Sequence, residues 1–147
     1  IRDVPGATVV SIDAAPVIEI ARELAVRMGV ADRVELVVGN VESVGADAGF
    51  DLAFLVQVAQ YLGDAALGAT FRRVLAALRP GGRLLVVTII DDPGTPGFTP
   101  NWTSAIEMFL SSPGISLRTP DAIRAALADA GFRRVETHQP WAYSAFR

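Results

Sequence analysis

A doubly wound α/β domain, with a mostly parallel sheet and one reversed strand at its C-terminal end, is the fold class the sequence predicts. Three observations predict it. Strand-like and helix-like hydrophobic patterns alternate along the chain from Ala7 onward. The run Phe50–Val56 is apolar on both faces, as a strand covered by helices on both sides must be. The last two strand-like runs, residues 132–137 and 141–146, are separated by too few residues for a crossover, so they form an antiparallel hairpin. Strands joined by helices otherwise require right-handed crossovers and a parallel sheet.

The elements follow in order. Residues 7–12 (ATVVSI) are a β-branched strand that stops at Asp13. Val17, Ile20, Ala21, Leu24, Ala25 and Met28 recur at helical spacing, with Pro16 in the first turn and Gly29 at the stop. Residues 33–38 are a second strand ending in Gly39-Asn40, and residues 50–56 a third. Asp64 is placed to cap a helix whose Leu67, Phe71, Val74, Leu75 and Leu78 form one apolar face. Arg79-Pro80-Gly81-Gly82 breaks that helix before the strongest strand, residues 83–90. Residues 91–101 carry three prolines and two glycines and read as a long loop of the kind that covers a site. A helix is expected over residues 104–110, and Thr119-Pro120 opens another that ends at Gly131.

The chain has 147 residues, enough for one sizeable core, and a net charge of −3, which advertises neither nucleic-acid binding nor a polybasic membrane contact. Its reactive side chains are few. There is no cysteine, all 13 basic residues are arginines, and His138 is the only histidine. That composition excludes a disulfide framework, thiolate or two-histidine metal sites, a cysteine nucleophile, a lysine Schiff base and the lysine of a P-loop. An enzyme with this inventory would rely on a cofactor for the reactive group. No apolar run approaches the roughly 20 residues that span a bilayer, and no secretory signal precedes the first strand, so a cytoplasmic protein is the expectation.

Four segments carry a family resemblance. Val10-Ser11-Ile12-Asp13-Ala14-Ala15-Pro16-Val17 ends a strand on an acidic residue. Asp32-Arg33-Val34-Glu35-Leu36-Val37-Val38-Gly39-Asn40 ends another on Gly-Asn. Phe71-Arg72-Arg73-Val74-Leu75 leads through Leu78-Arg79-Pro80-Gly81-Gly82-Arg83-Leu84 into the strongest strand. Arg118-Thr119 precedes Leu127 and Ala130-Gly131-Phe132. In this order the chain resembles the class I S-adenosylmethionine-dependent methyltransferases, most closely the small-molecule O-methyltransferases, over essentially its whole length.

The resemblance implies that residues 1–147 are a catalytic domain lacking its first strand and glycine-rich loop, which would lie upstream of Ile1 and in the middle of the sheet. Residues 2–6 would be the end of the helix that follows that loop. It implies S-adenosylmethionine as cofactor, a small aromatic or polyketide-like substrate, and a homodimer formed through a preceding N-terminal domain. Asp13 and Ala14 would bind the cofactor's ribose, Asn40 and Val41 its adenine, and Val56 and Gln57 would line the same crevice. Trp102, Met108 and Phe109, with Phe98, would contact the substrate, although ordinary packing explains each of them as well. Asp13 and Asn40 have a competing reading as helix-cap or turn residues.

The sequence departs from the family where the base belongs. Gln60-Tyr61-Leu62 stands in place of His-Asp-Trp, and Leu117 in place of the glutamate that orients that histidine. Glutamine cannot take and hold a proton. Methyl transfer from a sulfonium depends chiefly on positioning, so Gln60 is the expected catalytic position, orienting a substrate oxygen by hydrogen bonding. His138 reads as a surface or turn histidine. Two other functions remain open on the sequence: a nicotinamide-dependent oxidoreductase, which also ends its second strand in an acidic residue, and a cofactor-binding domain without methyl transfer.

Overall fold

Parallel pairing begins at the first strand. The structure is a computed structural model and describes residues 1, 3–45, 49–90, 115–138 and, as strand backbone, 142–146. The chain divides into two units, Ile1–Gly45 and Ala46–Arg147.

In the first unit, β1 (Val9–Asp13) pairs in parallel with β2 (Val34–Val38), Val9 opposite Val34 and Asp13 opposite Val38. The crossover is α1 (Ala15–Arg27), with proline in its first turn; Gly29, at φ +65, ends it in the left-handed region that glycine adopts without strain. Of the expected apolar stripe, Ala25 alone is buried. Ile18 and Ala25 are buried, whereas Val17, Ile20, Leu24 and Met28 are exposed. Helix α1 therefore has two apolar faces, and a spacing argument cannot choose between them. Residues 3–6 form turns rather than a helix end; the Ala7 amide donates to the Val4 carbonyl.

The second unit contains a four-stranded sheet in the order β3-β4-β6-β5. Strand β3 (Phe50–Val56) matches its expected bounds and runs parallel to β4 (Leu78–Val87). Strand β4 begins five residues earlier than expected. The Arg79–Gly82 turn lies inside it as a bulge: Phe50 faces Leu78, and regular pairing resumes with Leu52 opposite Arg83. Gly82 is required there, because a Cβ would lie 2.9 Å from the Arg79 carbonyl and 3.0 Å from that of Phe50.

Helix α2 (Asp64–Ala77) buries Leu67, Thr70, Phe71, Val74 and Ala77. Its N-cap is Gly63 rather than Asp64, whose carboxylate is engaged by Arg118. Helix α3 (Pro120–Asp129) opens as expected, the Thr119 hydroxyl accepting from the Ala122 amide at 3.3 Å. It buries Ile123 and Leu127, which with Phe71, Leu84 and Val86 form the core of this unit.

The terminal hairpin is present. Strand β5 (Arg133–His138) pairs antiparallel with β6 (Ala142–Phe146), and β6 also pairs antiparallel with β4. The reversed strand is thus the final one, inserted between β4 and β5. Among the described residues, β1 is hydrogen-bonded only to β2 and β3 only to β4. The expected helix over residues 104–110 and the loop before it lie outside the described residues.

Candidate active site

The expected site residues fall into two clusters, one in each unit, and each lies at the carboxyl ends of parallel strands. That is the edge where open α/β sheets bind ligands.

In the first unit, Asp13 is the last residue of β1 and is exposed. It is not the N-cap of α1; that position is Ala14, which makes no side-chain cap. The Asp13 carboxylate instead accepts from the Ala14 amide at 2.7 Å, which fixes one oxygen while the group faces solvent. The Asp13 carbonyl accepts from the Gly39 amide at 3.0 Å and so draws the end of β2 alongside. A Cβ at Gly39 would lie 2.1 Å from Ser43 Oγ, so a side chain there would displace that hydroxyl and its contact with the Asn40 amide.

Asn40 caps the short 3-10 turn Val41–Ser43: its Oδ1 accepts from the Glu42 amide at 2.8 Å, and its own amide donates to Ser43 Oγ at 3.4 Å. The turn reading of Asn40 thus has a direct structural counterpart. Asp13, Ala14, Asn40 and Val41 are brought together by these contacts.

In the second unit, Val56 ends β3 with its side chain exposed. Gln57 follows at φ +55, a left-handed conformation uncommon for a residue other than glycine, and its amide donates to the Val87 carbonyl at 2.7 Å. Gln60 lies in the 3-10 turn Ala59–Tyr61 with only 2% of its surface exposed. Its Nε2 donates to Gln57 Oε1 at 2.8 Å, and its Oε1 accepts from the Thr88 hydroxyl at 2.9 Å. Gln57, Gln60 and Thr88 therefore form one side-chain chain across the ends of β3 and β4.

Arg118 holds that turn from behind. Its guanidinium donates to the carbonyls of Ala59 (3.0 Å), Leu62 (2.6 Å) and Ser116 (3.2 Å), and twice to Asp64 Oδ1 (3.0 and 2.8 Å). The Ser116 amide donates to the Gln60 carbonyl at 2.9 Å. Leu117, where the family carries a glutamate, is exposed. Sequence reasoning missed Thr88 and the contacts of Arg118. The available signals were a lone hydroxyl in the apolar run 84–90 and an arginine beside an N-cap threonine.

His138 ends β5, exposed and 3.9 Å from Glu136. Trp102, Met108, Phe109 and Phe98 lie outside the described residues. Among the described residues, no helix is long and apolar enough to cross a membrane.

Comparison with known proteins bears on this arrangement. Mouse (Mus musculus) acetylserotonin O-methyltransferase is 39% identical over 90 residues, covering 61% of this chain and 23% of that protein. A candidate O-methyltransferase from Nostoc punctiforme superposes with a TM-score of 0.85 at 24% identity, covering 99% of this chain and 46% of that one. Human N-acetylserotonin methyltransferase, in complex with S-adenosylmethionine, gives a TM-score of 0.76 at 21% identity, covering 97% and 41%. At these identities the two structures speak to the fold. The matched region is about a quarter of the length of the curated relative. The family profile of the methyltransferase domain matches residues 1–82 of the 147, so the chain belongs to the methyltransferase domain family.

Proposed function

We propose that the chain is the catalytic domain of an S-adenosylmethionine-dependent O-methyltransferase acting on a small aromatic or polyketide-like acceptor, without a histidine base. The observation that carries this reading is Asp13: an exposed carboxylate at the end of a parallel strand, with a glycine of the neighbouring strand drawn beside it. A carboxylate only accepts, so it suits a pair of ribose hydroxyls.

The residues present fit the cofactor. By the family resemblance, Asp13 and Ala14 would hold the ribose, the Asn40 amide and the Val41 side chain the adenine, and Val56 and Gln57 would also contact the cofactor. When bound, the sulfonium supplies an already activated methyl group. The chain's own task is then to place an acceptor oxygen and to keep water away. Gln60 stands at the position of the family's base, and its buried amide bonds to Gln57 and Thr88. In this reading it works by positioning. Trp102, Met108 and Phe109 would provide the flat apolar wall for the acceptor.

A further strand and the glycine-rich loop, upstream of Ile1, belong to this reading. A homodimer formed through a preceding domain and a cytoplasmic location belong to the same proposal.

The test is calorimetric titration of the natural full-length protein with S-adenosylmethionine and, separately, with NAD. Binding of the first, lost in Asp13→Ala without loss of the fold, is the expected result. Binding of NAD alone would turn the reading toward an oxidoreductase. Cofactor binding with no methylated product from a broad set of phenols would leave a binding domain.

A further inference from the structure

The side-chain chain at the ends of β3 and β4 has a direction. Thr88 is 1% exposed, and its hydroxyl lies 2.9 Å from Gln60 Oε1 against 3.4 Å from the Ile89 carbonyl. The hydroxyl has a single hydrogen, and the shorter contact takes it. With its oxygen so occupied, Gln60 turns Nε2 toward Gln57 and donates to Oε1 at 2.8 Å. The Gln57 oxygen is thereby engaged from inside, which leaves the NH2 group as the polar end that exposed Gln57 offers outward. The Gln57 backbone is pinned too, at φ +55, by its bond to Val87. A non-glycine residue in this conformation at a strand's carboxyl end is strain maintained by its surroundings, of the kind that gathers at functional sites.

We infer that Gln57 is a donor-only contact for an oxygen that carries negative charge on the methyl acceptor, so that the acceptor class is a phenol or enol taken up in its ionised form. Thr88 and Gln60 are positioning residues that set the polarity of that contact. The inference rests on the methyltransferase reading and names the substrate class of that site. It also supplies what the missing histidine leaves open. A donor aimed at the oxygen stabilises the anion, the proton leaves to solvent on binding, and no side chain has to accept it. A hydrogen bond to a charged oxygen is about twice as strong as a neutral one, so it favours the ionised form selectively.

The test uses the natural full-length protein loaded with S-adenosylhomocysteine, which has no methyl group to transfer, after S-adenosylmethionine binding is established by calorimetry. The probe is para-nitrophenol, whose phenol and phenolate absorb differently, so the ionisation of the bound probe is read without turnover. The expected result is a phenolate-to-phenol ratio raised by roughly tenfold over free probe at the same pH, a shift of about one pKa unit. Gln57→Leu, a change at an exposed position, removes the shift when it is read at a cofactor concentration that calorimetry shows to saturate the variant. Thr88→Val releases the Gln60 amide and diminishes the shift. Gln60→Glu reverses its sign, because a carboxylate at 60 draws the Gln57 NH2 inward and presents Oε1 to the probe; the reversal is expected to vanish in the Gln57→Leu background, whereas direct repulsion by the new carboxylate would persist there and would overturn this step.

An unshifted probe in the unaltered protein, a shift that survives Gln57→Leu, or cofactor-loaded protein that takes up no probe overturns the inference. Failure of S-adenosylmethionine to bind overturns the reading beneath it instead.

Discussion

Replacing Arg118 by methionine should cost about 3 kcal/mol of stability, and most of that cost comes from backbone carbonyls rather than from the ion pair. The guanidinium side chain is 7% exposed, but its partner Asp64 is 92% exposed. A carboxylate so fully solvated is screened, and the pair contributes no more than about 1 kcal/mol. The bond to the Ala59 carbonyl is buried; the Leu62 amide still donates to that oxygen at 3.3 Å, but the lost bond came from a charged donor, worth roughly 1.5–3 kcal/mol. The Leu62 and Ser116 carbonyls are only partly buried, so water recovers part of their loss. Methionine preserves most of the aliphatic volume, which keeps a cavity contribution small. Urea unfolding followed by circular dichroism measures the change directly. In a thermal scan it corresponds to a fall of roughly 2–4 °C per kcal/mol for a chain of this size. Asp64→Asn should lose less than about 1 kcal/mol in the same assay. The reasoning is refuted if Arg118→Met costs under about 1 kcal/mol, or if Asp64→Asn costs as much as Arg118→Met.

Other substitutions test other parts of the argument. Gly82→Ala forces a Cβ against two carbonyls inside the β4 bulge and should destabilise by roughly 1–3 kcal/mol, measured by urea unfolding. Gly81→Ala meets open space and suffers only from φ +80, so about 1 kcal/mol is expected, and equal costs at the two glycines would sink the steric explanation. Gln57→Gly and Gln57→Ala both strip the buried Gln60 Nε2 of its acceptor, but only glycine relieves the left-handed backbone, so Gln57→Gly should be about 1 kcal/mol more stable than Gln57→Ala; equal stabilities would show that no strain resides there. Phe71→Ala, at a fully buried position between α2 and the sheet, should cost roughly 3–5 kcal/mol or abolish cooperative unfolding. Thr119→Ala should cost about 1 kcal/mol through the lost cap, with Thr119→Ser retaining most of it.

The sequence was most legible where a signal is local. Strand β3 is an apolar run broken only by Asp51, and its bounds emerge unchanged in the structure, although burial on both faces does not: Leu55 is buried while Leu52, Phe54 and Val56 are exposed. Thr119-Pro120 states a helix start within two residues, and the closing hairpin follows from linker length alone. Legibility fails where two local readings compete. Helix α1 has apolar residues on two faces, so Ile18, off the expected stripe, is the residue that buries. Asp64 looks like a cap from its neighbours, yet an arginine 54 positions later claims its carboxylate. Pro80-Gly81-Gly82 signals a chain reversal, but the pairing of Phe50 with Leu78 absorbs it into a bulged strand. At the candidate site the residue types were visible and their orientation was not. Asp13 and Gln57 stand at strand ends as expected, whereas the direction of the Gln60 amide depends on Thr88, 28 residues away.

On the proposed function, that dependence bears on how a methyltransferase site can lack the family's histidine and still position an acceptor. A general base acts through a pKa, which requires a titratable group. A positioned amide acts through the direction of its dipole, which requires only that something else fix which end points outward. In this chain the fixing group is a buried threonine hydroxyl, and the amide between it and the surface is sequestered from solvent. The oxygen and nitrogen of a glutamine are nearly isosteric, so without Thr88 the two orientations would differ little in energy. With it, reversing the chain would set the hydroxyl and the Gln60 NH2 against each other, unless the hydroxyl turned to accept. That turn gives up its proton's 2.9 Å contact for the longer one to Ile89. The polarity of the site is therefore set by the difference between two hydroxyl contacts, and Thr88→Ser, which keeps the hydroxyl but frees its rotamer, should weaken the preference for an ionised acceptor less than Thr88→Val does. Equal effects of the two substitutions would show that the threonine methyl group, and not the hydroxyl, governs Gln60.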